Sequence, residues 1–142
     1  MKSGLSAGTI AGLVAGLFSA ILVVVGRLIG LYGVFERPTM DSLFIFSIGW
    51  IIITILFGIV FGVIYEKFYH SIPGNGIKKG LYFGLLIYFI KDITAGTYSI
   101  YSGIMGAQYG LLEWIALGIN LIVIGVYMWP IYGIVLGYLY KK

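Results

Sequence analysis

Cysteine is absent from this 142-residue chain, and histidine occurs once, at His70. The first absence excludes disulfides, thiolate metal sites and thiol catalysis. The second excludes an imidazole metal cluster within one chain. Charge is scarce as well: Asp, Glu, Lys and Arg make up 10% of the residues, against roughly 25% in a soluble domain. Asn and Gln are nearly missing (Asn75, Gln108 and Asn120), which suits a thermophilic source and suits a membrane equally well. No glycine-rich phosphate loop follows a strand pattern, and no Ser/His/Asp set can gather at one depth while His70 sits in a loop. No hydrophilic segment is long enough to fold as a separate soluble domain. The chain is therefore expected to be non-enzymatic, with no catalytic residues, no cofactor and no metal.

What fills the chain is apolar: 61% hydrophobic residues and a mean hydropathy of +1.06. Long apolar runs predict helices over about 4–29, 43–65, 80–102 and 113–140, each reaching the ~20 residues that cross a bilayer core. The fold expected is an all-α integral membrane protein with four transmembrane helices in one domain, 1–142. Lys2 ahead of an apolar run suggests a signal peptide, but the run is too long and lacks a small-residue cleavage site, so an uncleaved span is expected. Pro38 ends any continuation of the first helix, and Asp41 or Ser42 suits the N-cap of the second. Pro73, Gly74, Asn75 and Gly76 form a turn signal, and His70 beside them reads as an ordinary loop histidine. Ser102–Leu112 is an uncharged, glycine-rich connection.

The net charge is +4. It does not point to nucleic acid, because the basic residues flank apolar runs. Four spans put Lys2, Lys67, Lys78, Lys79, Lys141 and Lys142 on one side, with Arg27 and Arg37 on the other. The lysine excess places both termini in the cytoplasm and the protein in the cell membrane as a multi-pass chain.

Small residues recur at helical spacing. Gly4, Gly8, Gly12 and Gly16 make a glycine-zipper stripe on the first helix, and Gly58 and Gly62 make another on the second. Such stripes let helices approach closely in lipid. Gly133 and Gly137 repeat the pattern on the fourth, where Pro130 marks a hinge because it cannot donate to the carbonyl of Val126.

Two segment pairs match. KSGLSAG over 2–8 resembles KKGLYFG over 78–84, an offset of 76. FGIVFGVIYEK over 57–67 resembles YGIVLGYLYKK over 132–142 at an offset of 75, with six of eleven positions identical. A tandem repeat of two helical hairpins, about 1–75 and 76–142, follows, with a pseudo-two-fold axis along the membrane normal.

One pair of residues breaks the pattern of charges at helix ends. Lys91 and Asp92 lie 11 and 12 residues beyond Gly80, about 16–18 Å at 1.5 Å per residue and near the middle of a ~30 Å core. A lone charge there costs at least ~2.5–3.5 kcal/mol. Neighbours on an α-helix diverge by about 100°, so each is expected to find a partner on another helix. Asn120, Tyr127 and Thr54 are candidates. Thr94 and Tyr98 extend the polarity of the outer half-helix. The offset of 76 sets Lys91 and Asp92 opposite Ala15 and Gly16, so the first helix's glycine face is expected to make room for them.

Two functions remain. One is a non-catalytic scaffold or accessory subunit whose small-residue faces pack against partner or self helices, in a homo-oligomer or larger membrane complex. The other is a small ion, proton or solute transporter or channel, with Lys91, Asp92, Thr94, Tyr98 and Asn120 as binding or transport residues. In both, the lipid bilayer is the surrounding partner.

Overall fold

The computed structural model describes residues 3–28, 40–104 and 111–140. All regular structure among them is helical: α1 (Gly4–Leu28), α2 (Met40–Phe68), α3 (Ile77–Ile87), a π-helical segment (Tyr88–Ile93), α4 (Thr94–Ile104) and α5 (Leu111–Leu139). The readings for Arg27, Asp41, Ser42, Asn120, Lys141 and Lys142, and for most of the 102–112 connection, fall outside the described backbone or side chains.

Three helices are long and apolar enough to cross a membrane, over Gly4–Val25, Ser47–Phe68 and Leu121–Leu139. The stretch 77–104 is helical throughout, but the π-helical segment divides it into two α-helical pieces of 11 residues each. α2 begins at Met40 and ends at Phe68, three residues beyond the expected 43–65 at either end. The second and third helices are joined by the expected turn. Gly74 (φ 92°) and Gly76 (φ 49°) take the positive φ that side chains resist, and the Lys78 amide closes the turn on the Asn75 carbonyl at 3.1 Å.

Backbone-to-backbone contact builds the two hairpins. In the α1–α2 hairpin a Cβ added at Gly8 would lie 2.7 Å from the Gly62 Cα, and one at Gly12 would lie 2.7 Å from the Thr54 carbonyl oxygen. Such separations lie well inside van der Waals contact, so only hydrogen fits. In the second hairpin a Cβ at Gly80 would lie 2.7 Å from the Gly137 Cα. One at Gly84 would lie 3.2 Å from the Gly133 Cα. Higher up, Gly96 on α4 and Gly118 on α5 approach the same way. In lipid, where burying apolar surface no longer drives helices together, this proximity gains dispersion contacts along the whole row.

Between the hairpins the packing differs. α1 lies directly against α5, and Ala7, Ala11 and Ala15 on α1 are fully buried. α2 meets the second hairpin through side chains instead. Tyr65 contacts Phe83 at a ring separation of 5.1 Å, and Phe61 meets Trp129 edge-on at 5.5 Å. The Tyr132 hydroxyl donates to the Gly58 carbonyl at 2.9 Å, and Tyr65 packs on Tyr140 at 5.5 Å. At the turn end, Glu66 accepts from the Gly4 amide at 2.7 Å and so caps the start of α1. Lys79, which is buried, donates to the Tyr69 carbonyl at 2.6 Å and lies 4.1 Å from the centre of its ring.

The glycine rows make a prediction. Gly8→Ala should destabilise the fold by about 1–3 kcal/mol through overpacking. Gly49→Ala is the control: a Cβ there has no neighbour within 4 Å, and the cost should stay within about 0.5 kcal/mol. Reversible unfolding in mixed micelles measures both, and equal costs would contradict the packing described.

Candidate functional site

The site begins with a defect in a helix. Over Tyr88–Ile93 the backbone widens into π geometry, with i→i+5 hydrogen bonds that accommodate an extra residue in the turn. The wider turn narrows the angle between successive side chains. Lys91 and Asp92 therefore meet each other, contrary to the divergence expected of an α-helix: the Lys91 ammonium donates to Asp92 Oδ1 at 2.8 Å. Asp92 Oδ2 accepts from the Trp129 indole Nε1 at 2.6 Å. Both carboxylate oxygens are thus matched to donors, one of them cationic, and the side chain is 4% exposed. A buried carboxylate needs this.

The room for it comes from Gly125. A Cβ added there would lie 2.8 Å from Asp92 Cβ and Cγ. This corrects the expectation that the glycine face of the first helix makes the space. Gly16 instead faces Thr54 and Ile51 of α2, and α1 spends its small residues on α2 and α5. The partner helix for Asp92 is its own hairpin mate.

The other candidates are not gathered here. Thr94 and Tyr98 are exposed, Tyr98 at 67%. Tyr127 is exposed as well, and the Thr54 hydroxyl donates to the Trp50 carbonyl at 2.6 Å, within its own helix. Asn120 has no described side chain. Gly4, Gly8, Gly12, Gly16, Gly58 and Gly62 line the α1–α2 contact, while Gly133 and Gly137 face α3. Pro130 is half-buried inside α5, which continues through it to Leu139.

Trp129, Gly125 and Phe57 are the members that sequence reasoning did not assign. A signal existed for the first two. Gly125, Trp129, Gly133 and Gly137 recur every four residues, as do Gly80, Gly84, Tyr88, Asp92 and Gly96. Two such rows on antiparallel helices set large residues against small ones.

Lys91 differs from Asp92 in being unfinished. Its side chain is 30% exposed. Its ammonium lies 5.2 Å from the Phe57 ring centre and 5.3 Å from that of Trp129, within cation–π range. Among the described residues no cluster of three or more His, Cys, Asp or Glu side chains could hold a metal ion. The chain matches no protein-family model, no curated protein and no solved structure.

The donor set predicts a pattern in stability. Lys91→Met leaves a buried carboxylate without its cation and should cost about 3–5 kcal/mol. Adding Asp92→Asn to that variant should recover most of the loss. Trp129→Phe alone should cost about 1.5–3 kcal/mol, the value of a hydrogen bond to a charged group. Unfolding free energies in mixed micelles test the series, and a double variant no better than Lys91→Met would refute the pairing.

Proposed function

We propose that the chain is a multi-pass membrane protein with four spans and both termini in the cytoplasm, and that it acts as a non-catalytic scaffold or accessory subunit. Its partner is another membrane helix or a second copy of itself. The observation that carries this reading is the saturation of Asp92: both oxygens are occupied inside one hairpin and the carboxylate is closed off. An ion pathway needs its charged group free to exchange partners; here the charge pair serves to join the 77–104 helix to α5. A second observation agrees. The apolar stretch of α2 is only 17% buried, against 44% for those of α1 and α5. That leaves a broad face for lipid or for another helix.

The fourth span in this reading is 77–104, whose two α-helical pieces and π turn form one unbroken helical run. The tandem duplication belongs to the same proposal. It is supported by the equivalent glycine contacts of the two hairpins and by the packing of Tyr65 on Tyr140, which lie 75 residues apart. The packing suggests a refined register for the first helix of each unit. Gly8 meets Gly58 and Gly62 as Gly80 meets Gly133 and Gly137; Gly80 lies 72 residues after Gly8, one helical turn short of the offset of 76.

The competing reading is transport, with Lys91 and Asp92 in the pathway and Pro130 as the hinge. It is favoured by the π geometry at the charges and by the position of Pro130 directly after Trp129. Purified protein in liposomes separates the two. As a scaffold, the wild type should pass protons, Na⁺ and K⁺ no faster than empty liposomes, and Asp92→Asn should reduce the size of the native complex in mild detergent. Flux above the empty-liposome rate that Asp92→Asn abolishes while the complex stays intact would establish transport instead.

A further inference from the structure

Between Gly80 and the upper part of α4 the helix holds one residue more than α geometry needs. An α-helix turns once every ~3.6 residues, so a residue about 18 positions on lies about five turns up the same line. From Gly80 that residue is Tyr98. Gly80 is buried against Gly133 and Gly137 of α5, yet Tyr98 is 67% exposed. The next residue, Ser99, is 6% exposed and takes the inward place instead. Gly96 is displaced in the same sense. An unbroken α-helix would set it about 160° round from Gly80, whereas it is buried against Gly118 of the same helix, α5. Subtracting one residue brings that angle to about 60°, so that both glycines face one partner.

The surplus sits in Tyr88–Ile93, where i→i+5 bonding absorbs a single residue. It is held there from both ends. Below the π turn, Gly80 and Gly84 lie against the α5 backbone at Gly133 and Trp129; above it, Gly96 lies against Gly118. The π turn cannot tighten to α geometry unless α4 turns by about 100° about its own axis. That turn would bring Ala95 to the place of Gly96, where a Cβ lies 2.8 Å from the Gly118 carbonyl oxygen. Close contact at both ends therefore blocks the relaxation.

We propose that Tyr88–Ile93 is a one-residue phase compensator. It stores a surplus residue between two glycine contacts, keeps a single face of the 77–104 helix on α5, and by widening the turn holds Lys91 beside Asp92. Deleting one exposed residue of the turn, Ile90, converts 77–104 into a continuous α-helix. Both glycine contacts survive, and Asp92 stays on the α5 side. Lys91 swings about 100° away from it, so the ion pair is the feature that is lost. The compensator is independent of whether the chain is a scaffold or a transporter.

The test uses the full chain carrying Lys91→Met/Asp92→Asn, so that no buried charge loses its partner. Deleting Ile90 there should change the unfolding equilibrium constant in mixed micelles by less than about tenfold. The control deletes Val123, which is 49% exposed on α5. With no surplus residue to absorb the loss, Gly118 turns about 100° out of line with Gly125, and the constant should rise about 100-fold or more. Because the chain lacks cysteine, single cysteines report which way α4 faces. Tyr98→Cys should react with a maleimide at least about tenfold faster than Ser99→Cys, with Ile90 present or deleted. The labelling is repeated with Lys91 and Asp92 intact, so it does not rest on the double variant. An Ile90 deletion as costly as the Val123 deletion, or an Ile90 deletion that makes position 99 react as fast as position 98, would overturn the proposal.

Discussion

A carboxylate in the middle of a bilayer has to be given its donors and its space by the protein, because the surrounding hydrocarbon offers neither. In the proposed four-span arrangement, Asp92 is the residue on which this constraint falls. Its two oxygens are met by an ammonium from the preceding residue and an indole from the opposing helix, and a glycine opposite leaves the volume. Each part depends on another. Lys91 reaches its neighbour because the helix widens into π geometry. Trp129 reaches the carboxylate because α5 lies close to α3. That approach is possible because Gly80 and Gly84 meet Gly133 and Gly137 without intervening side chains. The ion pair is thus the visible end of a row of glycine contacts that begins two to three turns away.

The same logic separates the two hairpins. Among the described residues, the α1–α2 hairpin has small residues along its contact and no charge away from the Glu66 end. Away from Glu66, its helices are joined by a neutral hydrogen bond, from the Trp50 indole to the Ser19 hydroxyl at 2.8 Å. The second hairpin is glycine-lined near the turn and then gives way to Tyr88, Asp92 and Trp129. Bulk on that side keeps α2 from closing on the 77–104 helix, while alanines let α1 close on α5. The bundle is lopsided for this reason, and Lys91 lies on the flank where side chains make the contact.

Much of this was legible from residue spacing. Apolar run length indicated helices, since ~20 residues of that character have few alternatives, and the period-four glycines lie on the helix contacts. The anomaly at Lys91 and Asp92 stood out because every other described charge lies near a helix end. What spacing did not convey was the π turn, which depends on a balance of local packing with no sequence signature of its own. An ideal α-helix implies a divergence of the two side chains that does not occur. The source of space is hidden from spacing for a related reason. A repeat alignment says which positions correspond; it does not say which helices touch, and Gly16 was already committed to Thr54 and Ile51. Trp129 does not stand out as a partner by spacing alone, because it is one of many aromatics along its helix.

Gly125 and Asp92 compete for one volume. The direct measurement is the stability cost of Gly125→Ala in two backgrounds, by reversible unfolding in mixed micelles. In the wild type the added methyl meets the Asp92 side chain, and the cost should be about 1–3 kcal/mol. In a Lys91→Met/Asp92→Ala background the obstruction and the buried charge are both gone, and the same substitution should fall within about 0.5 kcal/mol of neutral. An undiminished cost in the second background would mean that Gly125 is required for some other contact, and the central arrangement described here would be wrong.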